Sequence, residues 1–176
     1  MTHQDGVGEA DELERLWTPH RMAYILGENK PDDTSAAECP FCRVPRLADE
    51  PGLVVRRGTL AFVVLNLYPY APGHLMVCPF RHVADYTDLS DEEVVEIAHL
   101  TRAAMRTLRS VSAAQGFNIG MNQGSVAGAG ISAHLHQHVV PRWQGDANFM
   151  AVTGGTKVVS YDLEAVCAAV RDGFAR

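Results

Sequence analysis

Three histidines alternate with other residues in one short segment, His134-Leu135-His136-Gln137-His138-Val139-Val140. The pattern predicts a β-strand, in which alternate side chains share a face at about 6.5–7 Å spacing, so the three imidazoles would line one side. A single histidine in a strand is usually a packing residue, whereas three on one face indicate a site. Two chemistries need such a row: three imidazoles that bind a catalytic zinc ion with an open water position, or a histidine nucleophile held by its neighbours.

A glycine-rich segment leads directly into the histidines. Residues 120–130 contain four glycines among eleven residues. Backbone N–H groups in such a segment can approach and hold phosphate oxygens, although a flexible surface loop is the alternative interpretation of the glycines alone. Because the segment ends at the histidine row, we expect phosphate chemistry.

A cysteine pair, Cys39-Pro40-Phe41-Cys42, has the spacing of half a zinc site. The other two ligands would be Cys or His residues elsewhere in the chain. Cys78 and Cys167 have suitable side chains, but both lie in apolar segments where buried, inert thiols are expected. A metal-free pair packed in a turn is the alternative interpretation.

Five strands and two helices are predicted to position these groups. β-branched and apolar runs predict strands at residues 53–57, 60–67, 74–79, 117–121 and 134–140, the first two as an antiparallel hairpin. Ser90 and Glu93 form a capping box, and apolar residues then recur with the helical period until Gly116, which predicts one long helix. A C-terminal helix is predicted at 162–172. Because strands occur in runs and helices stand apart, we expect an α+β fold with an antiparallel sheet of about five strands.

The length and composition fit one globular domain. The chain has 176 residues, of which 47% are hydrophobic, and a domain typically has roughly 100–200 residues. Residues 1–38 are rich in loop-forming residues, with a short helical patch at 13–17, and are predicted to form an N-terminal arm. Residues 39–176 are predicted to form a single catalytic domain.

Charge and hydropathy exclude several function classes. The 15 basic and 21 acidic side chains give a net charge of −6, and without a basic face we expect no nucleic-acid partner. The N-terminus lacks the basic and apolar regions of a signal peptide, and no apolar run reaches the roughly 18 residues of a membrane span. We therefore expect a cytoplasmic protein with no membrane contact.

The histidine segment resembles the signature of the histidine-triad superfamily of nucleotide hydrolases and transferases, in which three alternate histidines are followed by two apolar residues. The resemblance extends to Cys39-Pro40-Phe41-Cys42, Leu65-Asn66-Leu67-Tyr68-Pro69, Pro72-Gly73-His74-Leu75-Met76-Val77 and Pro141-Arg142-Trp143. The segments Trp17-Thr18-Pro19 and Gly145-Asp146-Ala147-Asn148-Phe149 are most similar to the bacterial diadenosine tetraphosphate phosphorylases of that superfamily.

This resemblance implies that His136 attacks the α-phosphate and forms a covalent nucleotidyl-histidine, which a second acceptor then resolves. His138 would hydrogen-bond to the phosphate or to the leaving oxygen. The implied nucleotide contacts are Asn66 to the ribose, Asn122 to the phosphate and Trp143 stacked on adenine, together with the loop residues Gln123, Gly130 and Ser132. Gly130 departs from the many relatives that have Ser or Gln there, so Gln123, Ser125 and Ser132 are the substitute phosphate donors.

The resemblance also implies a structural Zn²⁺. Some members that carry the cysteine pair bind zinc through two further histidines, which map onto His82 and His134. The implied ligands are therefore Cys39, Cys42, His82 and His134. In that case His134, the first member of the candidate catalytic triad, is structural, and His136 and His138 remain for the chemistry. No organic cofactor is expected.

The predicted function is phosphorolysis of diadenosine tetraphosphate to ATP and ADP. Hydrolysis of dinucleoside polyphosphates and cleavage of nucleoside phosphoramidates are alternatives within the superfamily. A zinc-dependent hydrolase and a non-catalytic nucleotide-binding module are alternatives from other classes. The expected partners are an adenine dinucleoside polyphosphate, orthophosphate and further copies of the chain, in a homodimer or a higher homo-oligomer. Gln137 departs from the apolar residue usual in the superfamily, which predicts a wetter reverse face or a polar partner.

Overall fold

The computed structural model of the chain describes residues 34–146 and 162–175. The helices and strands in this part are α1 (Pro40–Arg43), β1 (Val54–Arg57), β2 (Ala61–Leu65), β3 (Leu75–Pro79), α2 (Asp91–Ser112), β4 (Gly116–Gly120), β5 (Gln137–Arg142) and α3 (Leu163–Ala175). Short 3₁₀ turns lie at Val44–Arg46, Tyr86–Asp88 and Ser125–Ala127. The helical patch predicted at 13–17 and most of the predicted arm, 1–38, lie outside the described residues.

The five strands form one antiparallel sheet in the order β1-β2-β3-β5-β4. The predicted β1–β2 hairpin is present, with Arg57 opposite Phe62. The central strands β2 and β3 pair along their whole length and are buried at every position, which explains their continuous apolar sequence. The predicted α+β class, with an antiparallel sheet, one long helix and a C-terminal helix, is confirmed.

The alternation of side chains along the strands divides the core between the two faces of the sheet. On one face, β2 and β3 residues such as Val63 and Val77 pack with Ile97, Leu108 and other residues of the two long helices. On the opposite face, Phe62, Val64, Met76 and Cys78 pack with Cys39, Phe41 and Cys42 of the α1 segment. The candidate site lies on this second face, away from α2.

The long helix α2 begins as the sequence predicts. The Ser90 hydroxyl accepts a hydrogen bond from the Glu93 N–H at 3.3 Å, and the Glu93 carboxylate accepts one from the Ser90 N–H at 2.8 Å. The helix ends at Ser112, where Ala113 adopts the left-handed conformation with a φ of 50°. Buried side chains such as Ile97 and Leu108 each contribute roughly 1.5–3 kcal/mol of transfer free energy and hold α2 on the sheet.

The helix α3 closes the same face of the sheet. The Arg171 guanidinium donates to the Val54 carbonyl at 3.1 Å and to the Asp49 carbonyl at 3.1 Å, so α3 is fixed to the start of β1. None of the described helices is both long and apolar enough to cross a bilayer.

The predicted strand 134–140 is wrong at its start, because β5 begins at Gln137. The residues before it follow a different path: the Leu135 N–H donates to the Val83 carbonyl at 2.7 Å, and the His134 ring contacts the Pro79 carbonyl. These contacts take the place of ladder hydrogen bonds to β3. Of the three histidines, only His138 therefore lies on the strand, and the regular row of rings along one strand does not form.

Candidate active site and metal centre

The ring of His136 presents an unprotonated nitrogen for chemistry. Its Nδ1 lies 2.9 Å from the His134 carbonyl oxygen. A carbonyl oxygen only accepts hydrogen bonds, so Nδ1 carries the proton and Nε2 keeps its lone pair. Burial, with 5% of the residue exposed, lowers the pKa of His136 and keeps the ring neutral at neutral pH, although the His134 carbonyl opposes this shift. A buried neutral imidazole of this tautomer suits a nucleophile.

His138 lies directly beside His136, with ring centroids 5.0 Å apart at an interplanar angle of 76°. Its Nδ1 lies 2.8 Å from Nε2 of His74. The Tyr70 backbone N–H donates to Nδ1 of His74 at 3.1 Å, so His74 carries its proton on Nε2 and donates it to His138. As a neutral ring, His138 is thereby protonated on Nε2, where it can donate to a substrate oxygen.

His74 is a site residue that the sequence reasoning did not single out. It is fully buried, and its ring makes tilted contacts with the rings of Tyr70, at a centroid distance of 4.7 Å, and His138, at 5.0 Å. The signal available in the sequence is a histidine outside the triad, placed at the start of an apolar strand directly after Pro72-Gly73. A fully buried histidine at that place needs polar partners, and the neighbouring histidine strand supplies one.

The cysteine pair and two histidines converge in one buried cluster. One potential ligand atom from each of Cys39, Cys42, His82 and His134 lies within 4.8 Å of the other three. The Cys39 and Cys42 sulfurs each lie 3.4 Å from Nδ1 of His134, and the Cys42 sulfur lies 3.3 Å from Nδ1 of His82. Zinc bonds of 2.0–2.3 Å in a tetrahedron place ligand atoms roughly 3.3–3.8 Å apart.

The protonation of His134 also fits a metal ligand. Its Nε2 lies 2.9 Å from the Pro79 carbonyl, so Nε2 carries the proton and the Nδ1 lone pair faces the sulfurs, the arrangement in which an outer carbonyl orients a metal-binding imidazole. Burial raises the pKa of the Cys39 thiol to about 11, so formation of the buried thiolate costs free energy. A divalent cation bound to the thiolate would offset this cost. Two thiolates, two neutral imidazoles and Zn²⁺ have zero net charge, which suits a buried site.

The cluster separates the roles of the three histidines. His134 directs one nitrogen to the cysteines and the other to a carbonyl, while Nδ1 of His138 is taken by His74. The three rings therefore do not converge on a common point. This geometry argues against a catalytic zinc held by the histidine triad.

The remaining two cysteines, Cys78 and Cys167, do not belong to the four-residue metal cluster. Cys78 is buried in β3, on the sheet face that carries α1. Cys167 accepts a hydrogen bond from Arg171 at 3.4 Å within α3. Both are buried thiols, as their sequence context predicts.

The candidate nucleotide contacts lie at two places beside the histidines. Asn66 directly follows β2, and its side-chain nitrogen lies 3.2 Å from Nδ1 of His74. The other candidates Asn122, Gln123, Gly130 and Ser132 belong to the loop 121–136. This loop leaves β4 at Gly120, whose register partner is His138, so both of its ends lie beside the candidate catalytic histidines.

Within this loop, two glycines adopt backbone conformations that other residues rarely reach. Gly124 and Gly128 have φ values of 78° and 79°, which favour glycine. The Gln123 side-chain oxygen accepts a hydrogen bond from the Tyr86 N–H at 2.9 Å, so in this conformation it braces the loop against the 3₁₀ turn before α2.

Two residues that follow the histidines are engaged with the fold. Trp143 donates its indole N–H to the Ser112 carbonyl at 2.9 Å and packs against the helix-side core. Stacking of this ring on adenine stays a prediction. The Arg142 guanidinium is bound to both carboxylate oxygens of Asp146, at 2.6 and 2.8 Å, and to Asn118 at 2.8 Å.

The unusual Gln137 has a polar partner on the reverse face of β5. Its side-chain nitrogen donates to the Thr101 hydroxyl at 2.6 Å, and that hydroxyl donates to the Ile97 carbonyl at 2.7 Å. Gln137 thus faces α2, whereas its neighbours His136 and His138 belong to the candidate site. Of the two environments that the sequence left open for this side chain, the structure shows the polar partner.

Comparisons with known proteins agree with this geometry. The HIT domain family matches residues 48–145. A protein of Mycobacterium tuberculosis (strain H37Rv) named AP-4-A phosphorylase is 50% identical over 157 residues, which cover 88% of this chain and 80% of that protein. The asymmetrical bis(5'-nucleosyl)-tetraphosphatase of Schizosaccharomyces pombe is 33% identical over 93 residues, 53% of this chain and 50% of that one.

A solved structure extends the likeness to the fold. The zinc-bound histidine triad family protein from Mycobacterium smegmatis superposes with a TM-score of 0.66 at 29% identity, covering 80% of this chain and 96% of that one. The match of the family over more than half of the chain, together with the 50% identity to the M. tuberculosis protein, shows that this chain is an enzyme of the HIT domain family.

Proposed function

We propose that this enzyme cleaves diadenosine tetraphosphate with orthophosphate as acceptor, giving ATP and ADP, through a covalent nucleotidyl-His136. The observation that carries the proposal is the hydrogen bond from Nδ1 of His136 to the His134 carbonyl, which leaves Nε2 as a neutral nucleophile. The choice of substrate rests on the likeness to the M. tuberculosis AP-4-A phosphorylase over most of the chain.

In the first proposed step, Nε2 of His136 attacks the α-phosphorus of the substrate. The N–P bond forms as the bond from phosphorus to the bridging oxygen breaks, and ATP leaves. His138, which lies beside His136 and is protonated on Nε2 through its contact with His74, donates to the departing oxygen.

In the second step, an oxygen of orthophosphate attacks the phosphorus of the nucleotidyl-histidine. The P–O bond forms, the N–P bond breaks, and ADP is released with His136 restored. A proton from the incoming phosphate returns to His138, so protons balance over the two steps. Asn66 is proposed to hold the ribose, and Asn122, Gln123, Gly130 and Ser132 to hold phosphate oxygens from the loop.

The second candidate function is hydrolysis, with water in place of orthophosphate in the second step. The likeness to the S. pombe tetraphosphatase favours it, but that likeness covers 53% of this chain against 88% for the phosphorylase. Both functions share the first step and the same nucleophile.

The products distinguish the two. Purified enzyme is incubated with diadenosine tetraphosphate, with and without orthophosphate, and the nucleotides are separated. ATP and ADP formed only with orthophosphate support phosphorolysis, whereas ATP and AMP formed in either condition identify a hydrolase. His136→Ala should abolish turnover while nucleotide binding persists, and activity within tenfold of the wild type would contradict the role of His136.

We also propose that Zn²⁺ occupies the cluster of Cys39, Cys42, His82 and His134. Three of the distances between potential ligand atoms, 3.3 to 3.4 Å, match a tetrahedral zinc site, and the orientation of His134 by Pro79 also supports this choice of metal. Zinc there would fix α1 to the sheet and would not activate water, because protein side chains fill all four positions. Metal analysis of freshly purified protein should find about one zinc per chain.

A homodimer formed through β4 is the proposed assembly. Among the described residues β4 is an edge strand, bonded to β5 on one side, and Ile119 on it is 46% exposed. An edge of this kind is a template for pairing with a second chain. Light scattering that gives the mass of a single chain would contradict a dimer.

A further inference from the structure

Phe41 stands between the two cysteines of the metal cluster and contacts the candidate nucleophile. It lies in α1, between Cys39 and Cys42, and is 7% exposed. Its ring centroid is 4.9 Å from that of His136, at an interplanar angle of 40°. It is 5.6 Å from the ring of His134, at 67°. The function described above gives this contact no role.

The hydrogen bond at Nδ1 does not by itself fix the reactive nitrogen of His136. It places Nδ1 against the His134 carbonyl, but the ring can still swing about that contact, because the second side-chain torsion of histidine has broad minima. Such a swing moves Nε2, the atom that must align with the α-phosphorus. A packed aromatic ring at 4.9 Å restricts that motion.

Both groups that support the His136 ring, the His134 carbonyl and the Phe41 ring, belong to residues of the metal cluster or to a residue between two of them in the sequence. The carbonyl that accepts from Nδ1 belongs to His134, whose side chain lies between the sulfurs and the Pro79 carbonyl. The aromatic ring is carried between the two cysteines. A shift of α1 relative to the sheet would therefore move the ring that packs on His136.

We propose that Phe41 is a positioning residue for His136, through which the cysteine segment sets the orientation of the nucleophile. This inference rests on the proposed function, since it assigns to His136 the attack on phosphorus. Phe41 does not touch the reacting atoms in this role; it limits the directions in which Nε2 can point.

The test compares Phe41→Leu with Phe62→Leu. Phe62 is fully buried and belongs to the same core cluster, and its ring stacks on that of Phe80 at a centroid distance of 5.1 Å. The control therefore loses a phenyl ring from the same core without losing a ring next to His136. Formation of the nucleotidyl-enzyme is followed in a single turnover, with the nucleotide dissociation constant and the zinc content measured on the same samples.

Phe41→Leu should slow formation of the nucleotidyl-enzyme by roughly 10- to 100-fold, the scale of a catalytic group misplaced by about 1 Å. The nucleotide dissociation constant should stay within about threefold of the wild-type value, and the zinc content within about twofold. Phe62→Leu should keep the rate within about threefold of the wild type. Phe41→Met, which fills more of the space, replaces Phe41→Leu if that variant does not fold. An equal loss of rate in the Phe41 and Phe62 variants, or a loss that only follows zinc content, would overturn the inference.

A spectroscopic readout separates this inference from the proposed reaction. The carbon-bound ring protons of His136 lie in the ring current of Phe41, so their NMR shifts should move in Phe41→Leu and stay in place in Phe62→Leu. If the wild type forms no nucleotidyl-enzyme, the proposed function fails. In that case, His136 chemical shifts that are the same in Phe41→Leu and the wild type would overturn the contact between Phe41 and His136. Chemical shifts that differ between the two would support this contact.

Discussion

The sharpest prediction concerns His74, which sets the tautomer of His138 through a 2.8 Å hydrogen bond. Leucine at this position has a similar volume but no donor. Loss of one hydrogen bond of about 0.5–1.5 kcal/mol removes a roughly 2- to 12-fold preference for the Nε2-protonated ring. Loss of the ring's orientation adds to this effect. For His74→Leu we expect kcat to fall by roughly 10- to 100-fold, with KM within about threefold.

Glutamine separates the hydrogen bond from the ring. A glutamine amide can accept from the Tyr70 N–H and donate to His138 as His74 does. His74→Gln should therefore retain more activity than His74→Leu, with a loss of less than about tenfold. His99→Leu, the same change at an exposed position on α2, is the matched control and should keep kcat within about twofold of the wild type.

The assay is the steady-state rate of orthophosphate-dependent cleavage of diadenosine tetraphosphate, with zinc content measured in each variant. The order expected for kcat is wild type and His99→Leu, then His74→Gln, then His74→Leu. If His74→Leu stays within about threefold of the wild type, or if glutamine is no better than leucine, the assignment of the tautomer is wrong.

Three further predictions test the metal cluster, the reverse face of β5 and the start of α2. Cys39→Ser should bind much less zinc than the roughly one ion per chain expected of the wild type, and it should unfold at a lower temperature. Metal analysis and a thermal melt measure these two changes, and a zinc content equal to that of the wild type would contradict the proposed ligand set. Thr101→Val leaves the Gln137 amide without its acceptor and should lower the free energy of unfolding by about 1–2 kcal/mol. In a double-mutant cycle, the variant with both Thr101→Val and Gln137→Leu should lose less unfolding free energy than the sum of the losses in the two single variants. The Arg81 guanidinium lowers the pKa of Glu93, so the stability from this pair is present above the ordinary glutamate pKa and is lost as the pH falls through the depressed value. Denaturation at several pH values should therefore show the difference between the wild type and Glu93→Gln shrink below about pH 4.5, and a constant difference would contradict the pairing.

Local patterns predicted the fold well because short-range interactions determine its main elements. The capping box of Ser90 and Glu93 involves residues three apart, and it marks the start of α2 correctly. The β1–β2 hairpin likewise depends on two neighbouring runs around a short turn. The four potential metal ligands, by contrast, came from the resemblance to a family, because the spacing of Cys39 and Cys42 identifies only half of a site.

The features that the sequence did not predict depend on contacts between distant residues. The strand β5 begins late because Leu135 bonds to Val83 in place of the ladder, a competition that no local pattern contains. The partners of Gln137 and Trp143 lie 36 and 31 residues away. The role of His74 depends on His138, 64 residues later. No short-range pattern in the sequence predicts these pairings.

The metal cluster also has a consequence for how the chain folds. Cys39 and His134 are 95 residues apart, and Cys42 and His82 are 40 apart, so a bound ion acts as a cross-link that closes most of the domain into loops. In the chain-entropy description, a cross-link around a loop of about 100 residues stabilises by roughly 4–5 kcal/mol. Such contacts form late, because the loop must close before the ligands meet. Tight binding of zinc by these four residues would therefore report that the segment carrying His134 has reached the sheet, and in a chain made from its N-terminus it could not precede the synthesis of His134.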